Sequence, residues 1–234
     1  MWARAYAVPP GRVNSGYSSV QSMAKAHTAP RRSRAERQAE TRARIVEAAV
    51  ELHTTLGPAR TSVSAIARRA GVQRHTVYAH YPEPEQLFRD CKGLWERRNP
   101  FPDLGAWSRI GDPRDRLAAA LEQVYGYWEA TADDLAAVLD GAERVPEMAE
   151  AQREWGELLA RAAAELARGW RARGRRRARL LAALQHALAL ETWRSLVQRG
   201  GLRRAEAVAL MCALVERASG RDGPGEPRAR GRAS

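Results

Sequence analysis

Residues 41–90 read TRARIVEAAVELHTTLGPARTSVSAIARRAGVQRHTVYAHYPEPEQLFRD. Ile45, Ala49, Leu52 and Leu56 recur at helical spacing and make one apolar stripe. Gly57-Pro58 closes that helix. Thr61 or Ser62 then offers a hydroxyl to the orphan N–H groups of a short second helix whose inner face is Val63, Ile66 and Ala67. Gly71 stands where a tight turn demands positive φ, and the apolar Val72 fills the angle behind it. A third helix over residues 73–79 turns Val77 inward and stops at Pro82. Pro84-Glu85 opens a fourth, carrying Leu87, Phe88, Cys91, Leu94 and Trp95. Two short helices meeting at a Gly-Val turn, with a longer helix in front, form the pattern of a helix-turn-helix that lays its second helix in a DNA major groove. The partner this predicts is double-stranded DNA.

A groove-bound helix presents its N-terminal residues to base edges, which here are Gln73, Arg74, His75 and Thr76. Arg74 can donate twice to guanine O6 and N7, Gln73 can pair with adenine N6 and N7, and Thr76 can offer its methyl to thymine. His75 can donate to an acceptor edge or a phosphate. Arg42, Arg44, Thr61, Ser62, Tyr78 and His80 are the candidate phosphate contacts, which position the helix without reading bases. Tyr81 is expected in the core. Arg31, Arg32 and Arg34 could form an arm along a groove.

Outward from this stretch, residues 1–35 are rich in Pro, Gly, Ser and Arg, lack periodicity and hold six basic residues and no acid. They are expected to form a disordered basic arm, with Met23 as an alternative start to Met1. The DNA-binding unit is placed at 36–97 and a helical ligand-binding and dimerisation unit at 98–219. A disordered basic tail is placed at 220–234. Residues 98–113 read as a linker. Beyond them the pattern is helical, and no strand pattern occurs, so the fold class is all-α. Leu117, Leu121, Val124 and Trp128 make one stripe, and Asp133 or Asp134 is expected to start a short helix ending near Gly141. A helix from Pro146 carries Trp155, Leu159, Ala162, Leu166 and Trp170 and ends at Gly174. A further helix is expected from about Arg176 to Arg199, and the last runs over about 203–218.

The aromatics of this second unit are either core or the wall of a pocket. Tyr125, Trp128, Trp155 and His186 are the candidate ligand-binding residues, with Gln123, Glu129, Glu154 and Glu191 as further polar groups, for an apolar or aromatic small molecule. Leu184, Leu188, Trp193, Val208, Met211 and Val215 are the candidate dimer surface, the alternative being that they complete the subunit's own core.

The whole chain of 234 residues carries 39 Lys and Arg against 27 Asp and Glu, a net charge of +12, which favours polyanionic partners. Two cysteines without a Cys-x-x-Cys spacing argue against a disulfide framework or zinc site and fit a reducing, cytoplasmic setting. No apolar run matches a membrane span, so no membrane partner is expected. His27, His53, His75, His80 and His186 are scattered, and no triad, metal-ligand or phosphate-loop spacing is present. The expectation is no enzyme and no cofactor.

Over Thr41–Phe88 the sequence resembles the N-terminal domain of TetR-type transcriptional repressors. The likeness rests on Ala48-Ala49, Ile66-Ala67, Ala70-Gly71-Val72, Thr76-Val77-Tyr78 and His80-Tyr81-Pro82, and further on ETWRSLVQRGGL later in the chain. The resemblance implies an all-helical homodimer that binds a near-palindromic operator and releases it when a small-molecule effector enters the C-terminal domain. A sequence-tolerant architectural DNA binder is the alternative. Three positions depart from the family pattern. His53 stands where Phe is usual, and its expected state is neutral and hydrogen-bonded. Pro84 replaces a Lys, removing a phosphate contact. His75 is bulky where a small residue is common, so an operator sequence cannot be carried over.

Overall fold

The computed structural model describes residues 33–220, and among these every regular element is helical. Residues 1–32 and 221–234, which hold most of the expected arm and tail, lie outside the described residues. The first helix, α1 (Arg34–Leu56), begins slightly earlier than its apolar stripe, so Arg34 and Ala35 belong to a helix rather than to an arm. The reason is a capping box. Ser33 Oγ accepts from the Glu36 N–H at 3.1 Å, and the Glu36 carboxylate accepts from the Ser33 N–H at 2.6 Å.

The next three helices are α2 (Val63–Ala70), α3 (Arg74–His80) and α4 (Pro84–Arg98). Ile45, Val46, Ala49, Ile66, Ala67, Val77, Tyr81, Leu87 and Cys91 form their shared core. Burying such a set is what holds four short elements together, since none would be stable alone. Gly57 adopts φ 85°, and a Cβ there would lie 2.5 Å from the Ala137 carbonyl oxygen. Glycine is therefore required where the end of α1 abuts the second unit.

That unit comprises α5 (Leu104–Ser108), α6 (Pro113–Leu139), α7 (Pro146–Leu166), α8 (Gly174–Leu188), α9 (Leu190–Trp193) continuing as a π-helical stretch over Arg194–Arg199, and α10 (Arg204–Ala218). The expected stripe of Leu117, Leu121, Val124 and Trp128 is fully buried along α6. At 27 residues α6 spans about 40 Å and forms the axis on which the other helices pack. Its N-terminal end is tied to the far end of α7, where Arg116 Nη1 donates to the Arg168 carbonyl at 3.0 Å. Its C-terminal half faces the end of α1 and α4.

Four expectations about this unit are corrected. Asp133 and Asp134 start no helix: they lie inside α6, because no Gly or Pro interrupts the chain there, and Asp134 accepts from Trp95 Nε1–H at 2.7 Å. The 98–113 stretch is no bare linker. It contains α5, started by Asp103 accepting from the Gly105 N–H at 2.8 Å, and α5 seats Trp107 in the core with Nε1–H donating to Gln123 Oε1 at 3.0 Å. The helix carrying Trp155 ends at Leu166, and Trp170 folds back to donate to the Leu166 carbonyl at 2.9 Å. The helix expected over 176–199 is broken at Ala189, which is extended at φ −70° and ψ 140°. Side chains take the carbonyls this frees. Trp128 Nε1–H donates to Leu188 O at 3.2 Å and Thr192 Oγ1–H to His186 O at 2.6 Å.

Candidate nucleic-acid interface

The geometry of α2 and α3 follows from three local choices. Ser62, not Thr61, caps α2, its Oγ accepting from the Ala65 N–H at 3.2 Å, while Thr61 Oγ1–H donates to Gly57 O at 2.8 Å. Gly71 takes the left-handed conformation, φ 66° and ψ 37°, so its N–H and that of Val72 close the end of α2 on Arg68 O and Ala67 O. Gln73 then caps α3 through its backbone alone, its carbonyl accepting from the N–H groups of Thr76 and Val77 at 3.0 and 3.3 Å. With Val77 pinned in the core, the opposite side of α3 faces solvent. Gln73, Arg74 and His75 are exposed and Thr76 is half-buried. Arg74 Nη2 and Tyr78 Oη lie 3.4 Å apart on this face.

The candidate phosphate contacts divide. Arg44 is exposed and close to the turn, since a Cβ on Gly71 would sit 3.8 Å from its Nη1. Ser62 and Tyr78 are exposed, and Thr61 and His80 half-buried. Arg42 is already engaged. Its Nη2 and Nε donate to Asp90 Oδ2 at 2.8 and 3.2 Å, and its guanidinium carbon lies 4.3 Å from the Tyr81 ring centroid. Tyr81 Oη–H donates to the same Asp90 oxygen at 2.7 Å. Burial alone would raise the Asp90 carboxyl, but the hydrogen bonds from Tyr81 and Arg42 win and hold it below the ordinary carboxylate range. Burial first, and the bond to Asp90 second, push the Tyr81 phenol well up. This triad braces α1 against α4 and against the end of α3, so Arg42 works as a strut.

A second site lies between the two units. A cavity of about 480 Å³ is walled on one side by α1 and α4 and on the other by α6, α7 and the break after α8. Trp128 and Trp155, two of the candidate ligand-binding residues, line it. Their rings belong to a cluster with Phe101 and Tyr127 at centroid distances of 5.0–6.5 Å. The other two candidates are not in the wall. Tyr125 is fully buried in the core of the second unit, and its hydroxyl has no partner among the described residues. His186 is exposed on α8 beside Thr192, at 3.3 Å from Nδ1 to Oγ1. Gln123 and Glu129 serve as structural partners, of Trp107 and of Arg204 at 3.0 Å. Missed by the sequence reading is the contribution of the DNA-binding unit, including His53, Phe88 and Trp95. The alternation of inner and outer positions on α4 carried a signal for Trp95, which packs against both hydrophobic cores.

His53 also departs from expectation. Its ring makes no hydrogen bond among the described residues and stands tilted to Phe88, with centroids 6.5 Å apart. It is neutral for a different reason: burial lowers its pKa from 6.5 to about 4.

The candidate dimer residues are likewise inside. Leu184, Leu188, Trp193, Val208, Met211 and Val215 are at most 5 % exposed and complete the subunit's own core. Spacing alone could not separate the inner face of α8 and α10 from their outer face, because Ala and Leu occupy both. The large apolar side chains that α10 turns outward are Leu210, 42 % exposed, and Leu214, 51 % exposed.

Among the described residues no group of three His, Cys, Asp or Glu side chains could hold a metal ion, and no helix is long and apolar enough to cross a membrane. Burial raises the Cys91 and Cys212 thiols to about 12 and about 11.

Residues 45–91 match the family model of bacterial regulatory proteins of the tetR family. No curated protein sequence matches the chain significantly. Among solved structures, a transcriptional regulator from Rhodococcus sp. Rha1 is 24 % identical, with 75 % of this chain and 96 % of that one aligned at a TM-score of 0.53. A tetR family transcription regulator from Shewanella sp. PV-4 is 19 % identical over 76 % of this chain and 97 % of its own, also at 0.53. A TetR transcription regulator from Haloarcula marismortui is 14 % identical over 78 % and 97 %, at 0.51. These likenesses show a common fold. The helix-turn-helix thus resembles that of bacterial regulatory proteins of the tetR family, and the chain around it shares the all-helical fold of these solved structures.

Proposed function

We propose that the protein is a ligand-responsive transcriptional repressor, a homodimer that binds a near-palindromic operator and leaves it when a small molecule fills the interdomain cavity. Residues 36–97 serve as the DNA-binding unit and 98–219 as the sensor and dimerisation unit. Gln73, Arg74, His75 and Thr76 read bases, and Arg44, Ser62, Thr61, Tyr78 and His80 meet phosphates. Arg42 acts indirectly through its strut to Asp90. The outer face of α8 and α10, with Leu210 and Leu214, forms the dimer contact, because burying exposed leucines across a two-fold axis is favourable and sets the spacing of two recognition helices. Two half-sites roughly one turn apart, ~34 Å, require that fixed spacing.

The observation that carries this reading is the composition of the cavity wall. Val50, His53 and Phe88 come from the DNA-binding unit, and Leu135, Met148 and Trp155 from the other. A ligand there touches both units and so binds one relative placement of them better than another, which is the requirement for regulation. A coupling of about 3 kcal/mol would weaken operator binding on the order of a hundredfold.

The architectural alternative leans on charge outside this site. Seven of the twelve excess positive charges lie in residues 1–32 and 221–234. Competition of a selected duplex against random DNA separates the two readings. A specific regulator should prefer its own site by ~10³ or more at physiological salt. A ratio near one would favour the architectural reading. A compound screen for release of the selected duplex then tests the ligand response.

A further inference from the structure

The wall of the interdomain cavity is apolar over most of its extent, with Phe88, Trp95, Leu135, Met148 and Trp155 in it and the buried Trp128 behind them. Its polar groups are nearly all committed to protein partners. Thr54 Oγ1–H donates to Val50 O at 3.1 Å. Lys92 Nζ holds Glu96 at 2.7 Å and Glu154 at 2.8 Å. Glu191 holds Arg194 at 2.7 Å and Arg199 at 3.7 Å. The indole N–H groups of Trp95 and Trp128 donate to Asp134 and to Leu188 O. The Cys91 thiol points at Val46 O, 3.9 Å away. Gln152 is exposed to solvent. His53 is different: it is half-buried, it lines the cavity, and its ring nitrogens have no protein partner among the described residues.

An imidazole with no protein partner in an otherwise apolar wall is the group open to a hydrogen bond from whatever enters the cavity, and a ligand that supplies it replaces water there. A neutral imidazole has one N–H and one bare nitrogen, so it suits a hydroxyl, which both donates and accepts. An ionised ligand fares worse. A carboxylate would lose its water without meeting a free cation, because Lys92 is held by two glutamates. An ammonium would meet no free carboxylate, because Glu96 and Glu191 are paired too. We propose that the effector of this cavity is a neutral aromatic compound bearing a hydroxyl, anchored by His53 and stacked between Trp95 and Trp155. Burial lowers the His53 pKa, which agrees with a neutral ring at this site. The anchor stands on α1 and the stacking ring of Trp155 on α7, so this ligand fastens the DNA-binding unit to the sensor.

This inference rests on the cavity being the effector site, and binding is measured apart from DNA release so that the two can fail separately. Equilibrium dialysis of the full chain uses four probes of one shape: 4-hydroxybiphenyl, biphenyl, biphenyl-4-carboxylate and 4-phenylbenzylammonium. The expected order places 4-hydroxybiphenyl ~10-fold tighter than the other three, the effect of about one hydrogen bond. His53→Phe should bring 4-hydroxybiphenyl down to the affinity of biphenyl while biphenyl itself still binds, which also shows that the variant is folded. His53→Gln, which keeps a hydrogen-bonding group, should retain the preference. Persistence of the hydroxyl preference in His53→Phe would overturn the proposal. So would equal or tighter binding of either ion, or no binding of any probe. Tight 4-hydroxybiphenyl binding that leaves operator affinity unchanged would count against the regulatory reading and leave the ligand class standing.

Discussion

His53 gives the account a measurable acid response. In the unfolded chain its imidazole titrates near the ordinary 6.5, whereas in the folded protein burial lowers this to about 4. Between those values the unfolded chain binds a proton that the folded protein refuses. Stability therefore rises with pH in that window: it is fully present above about 6.5 and is lost as pH falls toward 4. Each pH unit inside the window is worth about 1.4 kcal/mol, so the drop from pH 7.5 to pH 4.5 comes to about 2–3 kcal/mol from this one ring. That is a sizeable part of a typical total of about 5–15 kcal/mol. The perturbation is His53→Phe, which keeps a flat ring against Phe88 and removes the titration. Urea unfolding of both proteins at the two pH values isolates the effect, because every other group, Asp90 included, is common to both. His53→Phe should lose about 2 kcal/mol less than the parent over that interval. Equal losses would refute the reasoning and would mean that His53 is solvated in the folded state.

Other consequences follow from particular contacts. Arg74→Ala should cost about 1–3 kcal/mol of operator binding and relax preference at one base pair in each half-site, read by anisotropy against single-base variants; uniform weakening would make Arg74 a phosphate contact. Asp90→Ala strands the Tyr81 hydroxyl and frees Arg42, and should lower the unfolding free energy by about 1–3 kcal/mol in urea; a change within about 0.5 kcal/mol would show that the triad braces nothing. Leu214→Lys should shift sedimentation from dimer to single subunit at micromolar concentration with helicity unchanged; a dimer that persists would place the contact elsewhere.

Much of the DNA-binding unit was legible because its rules are local. Gly71 had to be left-handed for the chain to turn, Val77 had to face inward, and together they fix which side of α3 is exposed. The second unit was less legible because its decisive features are long-range. Nothing near Asp134 in sequence announces that Trp95 will bond to it, so the acid pair read as a helix start when it lies mid-helix. The break at Ala189 has the same origin: it persists because Trp128, far away on α6, accepts the role of partner to Leu188 O. The cavity was half visible. Trp128 and Trp155 stood out as aromatics on helices of the second unit, but the wall supplied by α1 and α4 depends on how two units meet. Tyr125 and His186 failed as lining residues because helical spacing does not tell which face turns to a cavity, which to a core and which to water. The misplaced dimer residues failed likewise, since Met211 and Val215 look inward while Leu210 and Leu214 look out.

The most direct measurement is the sequence of duplexes that the full chain enriches from a random pool, for the parent and for Arg74→Ala. The expected result is an inverted repeat with half-sites ~34 Å apart, in which Arg74→Ala loses selectivity at one symmetry-related pair of positions. An enriched motif unaltered by that substitution, or no enriched motif, would contradict the placement of α3 as the reading helix.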